Sequence, residues 1–170
     1  TLPGMIRDTI GFLGDAAADA RELEQTGRTV DQVFGDAAVT IHDWGEAAAD
    51  AAGLSKREVQ GAAATMGSTL INMGLSADES ADLVVRAQQR AADLALSYGR
   101  DVNDALLGVS SLLRGEYDTI EKFGVRIKQA DVNARILALG LDTTTEAAKR
   151  QAEAIATLSL IHISEPTRPY

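Results

Sequence analysis

Residues 53–80 read GLSKREVQGAAATMGSTLINMGLSADES, and the fold class follows from how this stretch begins, repeats and stops. Ser55 and Glu58 have the S-x-x-E spacing of a capping box, in which each side chain takes a backbone N–H that the first turn of a helix leaves open. Val59, Ala62, Ala63, Met66, Leu70 and Met73 then recur at helical spacing, which puts them on one face. Gly74 supplies the stop. Ser76 and Glu79 start the same grammar again at once. The repeat of Gly-Leu-Ser at 53–55 and 74–76 is one of cap chemistry only, because the helix interiors do not match.

The same reading extends in both directions. After Ser76, the residues Val84, Ala87, Ala91, Leu94, Ala95 and Tyr98 line one helical face, and Gly99 ends it. Asp101 or Asn103 opens a shorter helix through Leu106, Val109, Leu112 and Leu113, stopped near Gly115. A brief helix runs from Glu116 to Phe123 and another from Lys128 to Leu139, ended by Gly124 and Gly140. Thr143 and Glu146 have capping-box spacing, with Glu146 one turn from Arg150. Upstream, Val30, Val33, Phe34, Ala37, Ala38, Ile41, Trp44, Ala48 and Ala51 predict a helix over Thr29–Ala52, with Thr29 as N-cap and Gly53 as the residue after its end. Before Thr29, Ile6, Ile10, Leu13 and Ala17 keep helical step, weakened by Gly11 and Gly14. No segment alternates as a strand does. The expected fold is all-α: short-to-medium amphipathic helices in a bundle-like arrangement, separated by glycine-capped turns.

Bulk composition agrees. The 170 residues suffice for one domain with a real core, aromatics are only 4%, and the apolar fraction leans on alanine. Acidic residues outnumber basic ones 25 to 16, for a formal charge of −9, and no basic patch stands out, so specific nucleic-acid binding is not expected. The absence of cysteine rules out disulfides and thiolate metal sites. No apolar run approaches the roughly 20 residues that cross a bilayer, and the first residues lack the pattern of a signal peptide. Thr1 in place of Met points to a fragment.

Candidate chemistry is thin. His42 sits beside Asp43, but neighbours in sequence point apart on a helix, so Asp43 cannot orient it, and a boundary or surface position is expected. Carboxylates such as Asp78, Glu79 and Asp82 fall on a polar face. Gly4, Gly11 and Gly14 lack a preceding strand and a phosphate-cradling pattern. There is no Walker-type loop, G-x-S-x-G elbow or H-E-x-x-H pair. No catalytic, cofactor-binding or metal site is assigned, no cofactor is expected, and an enzyme is not.

The end of the chain changes style. From Leu158 to Tyr170 alanine disappears, β-branched residues cluster, and two of the three prolines fall within four positions. Leu158 to Arg168 resembles one translated frame of a widely used sequencing adapter. Residues 158–170 are accordingly expected to be a non-native tail that adds nothing to folding, His162 included. The organisation becomes a helical lead-in over 1–28, a helical region over 29–157, and this tail.

Four pieces occur in order: Val33-Phe34-Gly35-Asp36-Ala37-Ala38 ahead of Trp44-Gly45-Glu46; Gly53-Leu54-Ser55-Lys56 leading to Ile71-Asn72-Met73-Gly74-Leu75; Ala91-Ala92-Asp93-Leu94-Ala95; and Leu112-Leu113-Arg114-Gly115-Glu116-Tyr117 leading to Phe123-Gly124-Val125, with Ile136-Leu137-Ala138-Leu139-Gly140-Leu141 downstream. The series from about Thr29 to Leu141 resembles the N-terminal to middle region of tailed-phage tape-measure proteins. That resemblance implies a structural virion component, without enzymatic activity here, that helps set tail length and occupies the tail-tube lumen. Its implied partners are other copies of itself, the tail tube and tail-assembly chaperones; its implied place is the virion tail, assembled in the bacterial host cytoplasm. Family members are far longer than 170 residues, so this piece would not set a length alone. Phe123 and Trp44 are expected to pack in the core. The residues by themselves also admit a soluble helical adaptor that binds a partner helix and has nothing to do with virions.

Overall fold

In the computed structural model, which describes residues 2–163 and the side chains of 4–161, two of the three expected capping boxes are formed. The Glu58 N–H donates to Ser55 Oγ at 3.2 Å while the Ser55 N–H donates to Glu58 Oε2 at 2.8 Å. Ser76 and Glu79 repeat this at 3.2 and 3.0 Å. The helices they open are α3, Lys56–Asn72, and α4, Ala77–Tyr98. The others are α1, Leu2–Phe34, α2, Ala38–Ala52, α5, Val102–Leu113, α6, Gln129–Leu139, and α7, Glu146–Ile163. Short 3-10 segments lie at Gly35–Ala37 and Asp118–Phe123, and no strand occurs among the described residues. The fold is an all-α bundle.

The helix α4 is the hub. Its buried face is mostly alanine (Ala81, Ala87, Ala91 and Ala95 around Val84), and such small side chains let neighbours approach closely. It touches α1, α2, α3, α5 and α7. Around it the core gathers Val30 and Phe34 of α1, Ile41 and Trp44 of α2, Val59, Met66 and Leu70 of α3, and Leu106, Val109 and Leu112 of α5. Full burial of each large apolar side chain contributes about 1.5–3 kcal/mol. From the expected faces, Ala51 and Tyr98 turn out exposed, as do Ile6, Ile10, Leu13 and Ala17 of the lead-in. Close approach has one extreme case: the Phe34 ring lies on Gly67, where any Cβ would run into it.

Gly53 ends α2 at φ 66°, the left-handed conformation that costs glycine nothing. Its N–H donates to the Ala49 carbonyl and the Leu54 N–H reaches back to Ala48, each at 3.2 Å, with Leu54 fully buried beneath the turn. Asp101, not Asn103, caps α5: its carboxylate accepts the Asn103 N–H at 2.7 Å.

Three expectations need correction. Thr29 is not an N-cap. It lies inside α1, its hydroxyl donating to the Gln25 carbonyl at 3.0 Å, and the division drawn between 28 and 29 falls within this helix. The break comes later, at Gly35, where a 3-10 turn separates α1 from α2; nothing near 28 forces a stop, and a helical Gly11 or Gly14 costs only about 1 kcal/mol each. Thr143 does not open α7 either. Asp142 takes the Thr144 N–H at 2.9 Å, and Thr145 caps the helix by accepting the Ala148 N–H at 3.1 Å. Of the three consecutive threonines, the one next to Glu146 is used. Finally, residues from 158 do not stand apart. Leu158 to Ile163 continue α7, Leu158 and Leu160 pack on the core, and Ile161 is 1% exposed. The apolar character that set this stretch apart is what buries it. The remainder, 164–170, lies outside the described residues.

Candidate functional site

The bend at Gly35 folds α2 back beside α1 and brings His42 to Asp31, with His42 Nε2 2.7 Å from Asp31 Oδ1. His42 Nδ1 lies 3.4 Å from the Gln60 amide nitrogen on α3, and Gln60 Oε1 accepts the Thr26 hydroxyl at 2.9 Å. With the Gln60 amide in this orientation, Nε2–H donates to the carboxylate and Nδ1 accepts from the amide. Both ring nitrogens are thereby engaged. Among the described residues the partners of the ring are this carboxylate and this amide, and neither is a nucleophilic hydroxyl. Its side chain is one-third exposed, a boundary position as expected, and Asp43 points away into solvent. What the network does is tie α1, α2 and α3 together. Sequence reasoning missed Asp31 and Gln60 because they sit on other helices and the bend that recruits them is a tertiary feature.

A second polar network is buried. Trp44 Nε1–H donates to Gln88 Oε1 at 2.9 Å, and Gln88 Nε2–H donates to the Val59 carbonyl at 3.0 Å. Gln88 is fully buried, yet its amide has partners at both ends. The expectation that Trp44 and Phe123 pack in the core is met.

The remaining candidates separate. Asp78, Glu79 and Asp82 are exposed on the first turns of α4, and Glu79 is spent on the cap. Hydrogen bonds from the Ser76 backbone and hydroxyl hold the Glu79 carboxyl below the usual glutamate range. At Glu58 burial pushes the carboxyl up, but hydrogen bonds from Ser55 and from the Asn103 amide outweigh it and the net direction is down. Gly4, Gly11 and Gly14 are helical residues of α1. Among the described residues no group of three or more histidines and carboxylates is arranged to hold a metal ion, and no helix is long and apolar enough to cross a membrane.

Two of the surface grooves lie over seams between helices. One, about 360 Å³, lies between α4, α6 and α7, with Leu83, Ile155 and Leu158 inside and Arg86 and Arg90 on its edge. The other, about 470 Å³, runs between α1, α3 and α5 over Gly61 and Ala62, flanked by Arg57 and Leu107. The second is lined largely by polar groups, and these are partnered across it: Arg57 pairs with Glu22 at 3.1 Å, and the Asn103 amide donates to Glu58 Oε1 at 2.9 Å. The chain matches no family model, no curated protein and no solved structure.

Proposed function

We propose that this chain is a piece of the tape-measure protein of a tailed phage or prophage, a non-enzymatic virion component in the lumen of the tail tube whose full-length parent helps set tail length. Its partners in that role are further copies of itself, the tail tube and the tail-assembly chaperones, in a tail assembled in the bacterial cytoplasm. The observation that carries the reading is the order of sequence pieces from Val33 to Leu141. The most specific of them, Arg114-Gly115-Glu116 and Phe123-Gly124-Val125, bracket the second 3-10 helix. Their glycines take φ 80° and 70°, and Phe123 and Val125 are buried. Both glycines take the left-handed conformation that costs glycine nothing, so each piece answers to a local structural demand.

A helical adaptor is the second reading, favoured by the groove between α1, α3 and α5, whose floor of Gly61 and Ala62 leaves room for a partner helix. The complete reading frame and its neighbours separate the two. A tape measure predicts a very long helical continuation and major-tail-protein and chaperone genes just upstream. A short frame among unrelated genes would favour the adaptor.

A further inference from the structure

The hydrogen bonds around His42 are one proton short. Thr26 Oγ1 lies 2.9 Å from Gln60 Oε1 and also 2.9 Å from the Leu23 carbonyl oxygen. Both neighbours are acceptors, and one hydroxyl proton serves only one of them. When the hydroxyl donates to Gln60, it leaves Leu23, and the Gln60 N–H is spent on the 3.4 Å contact with His42 Nδ1. Counting the bond to Asp31, neutral His42 leaves one of these four contacts without a proton.

Turning the Gln60 amide over changes the count. Its Nε2–H then donates to Thr26 Oγ1, the hydroxyl proton is released to Leu23, and Oε1 faces His42 Nδ1. That last pair is two acceptors unless Nδ1 carries a proton. With His42 as the imidazolium, both ring nitrogens donate, to Asp31 and to Gln60, and every contact is a hydrogen bond. The two bonds to the ring are then charge-assisted. The turn exchanges nitrogen and oxygen in nearly the same places. Gln60 is 2% exposed, and a Cβ on Gly27 of α1 would stand 3.6 Å from its Nε2 and 3.8 Å from its Oε1, ordinary contact that grips neither end.

The charges nearby are engaged elsewhere or face solvent. On α1, Arg28 pairs with Glu24, while Glu22 and Asp19 pair with Arg57 of α3. Glu46, one turn after His42, pairs with Lys56, one turn before Gln60. Asp36 and Asp43 are exposed, and the buried face of α4, which packs on α1, α2 and α3, carries no charged side chain. Among the described residues, the full charge at hydrogen-bond distance from the ring is that of Asp31. We propose that His42, Gln60 and Thr26 form a proton-operated latch, in which protonation of His42 turns the Gln60 amide over and fastens α1 more firmly to α2 and α3. The latch is independent of the tape-measure reading, which gene neighbourhood tests separately.

Nuclear magnetic resonance of the isotope-labelled chain at about pH 8 and about pH 5.5 brackets the ordinary histidine value of about 6.5. At the higher pH, the His42 ring should be protonated at Nε2 alone, with nuclear Overhauser contacts from the Gln60 NH2 to the ring. At the lower pH, both ring nitrogens should carry protons, and the Gln60 NH2 should contact the Thr26 side chain instead. These spectra use the wild-type chain and decide the matter even where a variant fails to fold. Denaturant melts read the consequence. The folding constant of wild type relative to His42→Gln should rise roughly fivefold from the higher pH to the lower, the size of one net hydrogen bond. This ratio cancels the contribution of His162, the other histidine of the chain. In a Gln60→Met background the pair with Asp31 stays but nothing can turn, and the same ratio should rise less. A Gln60 NH2 that keeps its contacts to the ring at both pH values overturns the proposal. So does a ratio that is flat or falls in acid. An equal rise in the Gln60→Met background also overturns it, by leaving the pair with Asp31 as the whole effect.

Discussion

The indole N–H of Trp44 on α2 and the carbonyl group of Gln88 on α4 are hydrogen-bonded at 2.9 Å inside the core, and the same Gln88 amide holds the Val59 carbonyl of α3. Three helices thus meet at one buried amide, and its removal leaves the Trp44 indole N–H without a partner and takes one of two bonds from the Val59 carbonyl. Gln88→Leu is expected to cost about 1–3 kcal/mol despite adding apolar volume. Trp44→Ala should cost about 3–5 kcal/mol through the cavity it leaves. Denaturant melts of Trp44→Phe, Gln88→Leu and the double variant check the pairing. The double variant should lose less than the sum of the singles, because removing both partners leaves fewer unpaired groups.

Gly67 is there to admit Phe34. Gly67→Ala improves helix propensity, yet the new methyl group meets the ring of Phe34, so stability should fall by about 1–3 kcal/mol. Adding Phe34→Leu should recover part of that loss. A stabilised Gly67→Ala protein in thermal melts would mean that α1 does not press on α3 as described.

The capping boxes predict graded effects. Ser55→Ala and Ser76→Ala should each cost about 0.5–2 kcal/mol, roughly additively, since they open different helices. Wild-type stability in the double variant would move both helix starts.

Acid should weaken the first of these caps. The Glu58 carboxyl is held below its ordinary value, so its extra contribution is complete above the unfolded glutamate pKa of about 4.3 and is lost as pH falls through the lower folded value. The stability gap between wild type and Glu58→Gln should therefore be constant near neutrality and shrink below about pH 4. A gap that widens in acid would reverse the sign of the assignment.

Much of the fold is legible in the sequence because the signals are local. Ser55 with Glu58, Ser76 with Glu79, and the glycines at 53, 99 and 140 mark starts and stops within a few residues of themselves. What escapes is set at a distance. Thr29 is a good capping residue with no helix end to cap, because the preceding turns stay helical once Val30 and Phe34 are buried. Asp31 and His42 are eleven apart and meet only because Gly35 bends the chain. The stretch from Leu158 reads as foreign by composition, yet Ile161 finds a place in the core through contacts that composition does not encode.

That last point reverses the expectation drawn from composition alone. Truncation after Thr157 removes a buried isoleucine and the packing of Leu158 and Leu160, and Ile161→Ala by itself should cost about 2–5 kcal/mol. An unchanged thermal midpoint in either variant would return these residues to the status of an idle tail.

The proposed place of this region in a tail-length ruler is tested most directly by tail length. Deleting Ser76 to Tyr98 from the full-length parent removes α4, the helix against which α1, α2, α3, α5 and α7 pack. The account predicts few assembled tails, because the folded section collapses. Any survivors should be shortened by no more than about 35 Å, the span of the deleted residues as a continuous helix. Electron microscopy of tails from such a phage measures both quantities. Abundant tails of normal length and full infectivity would contradict the claim.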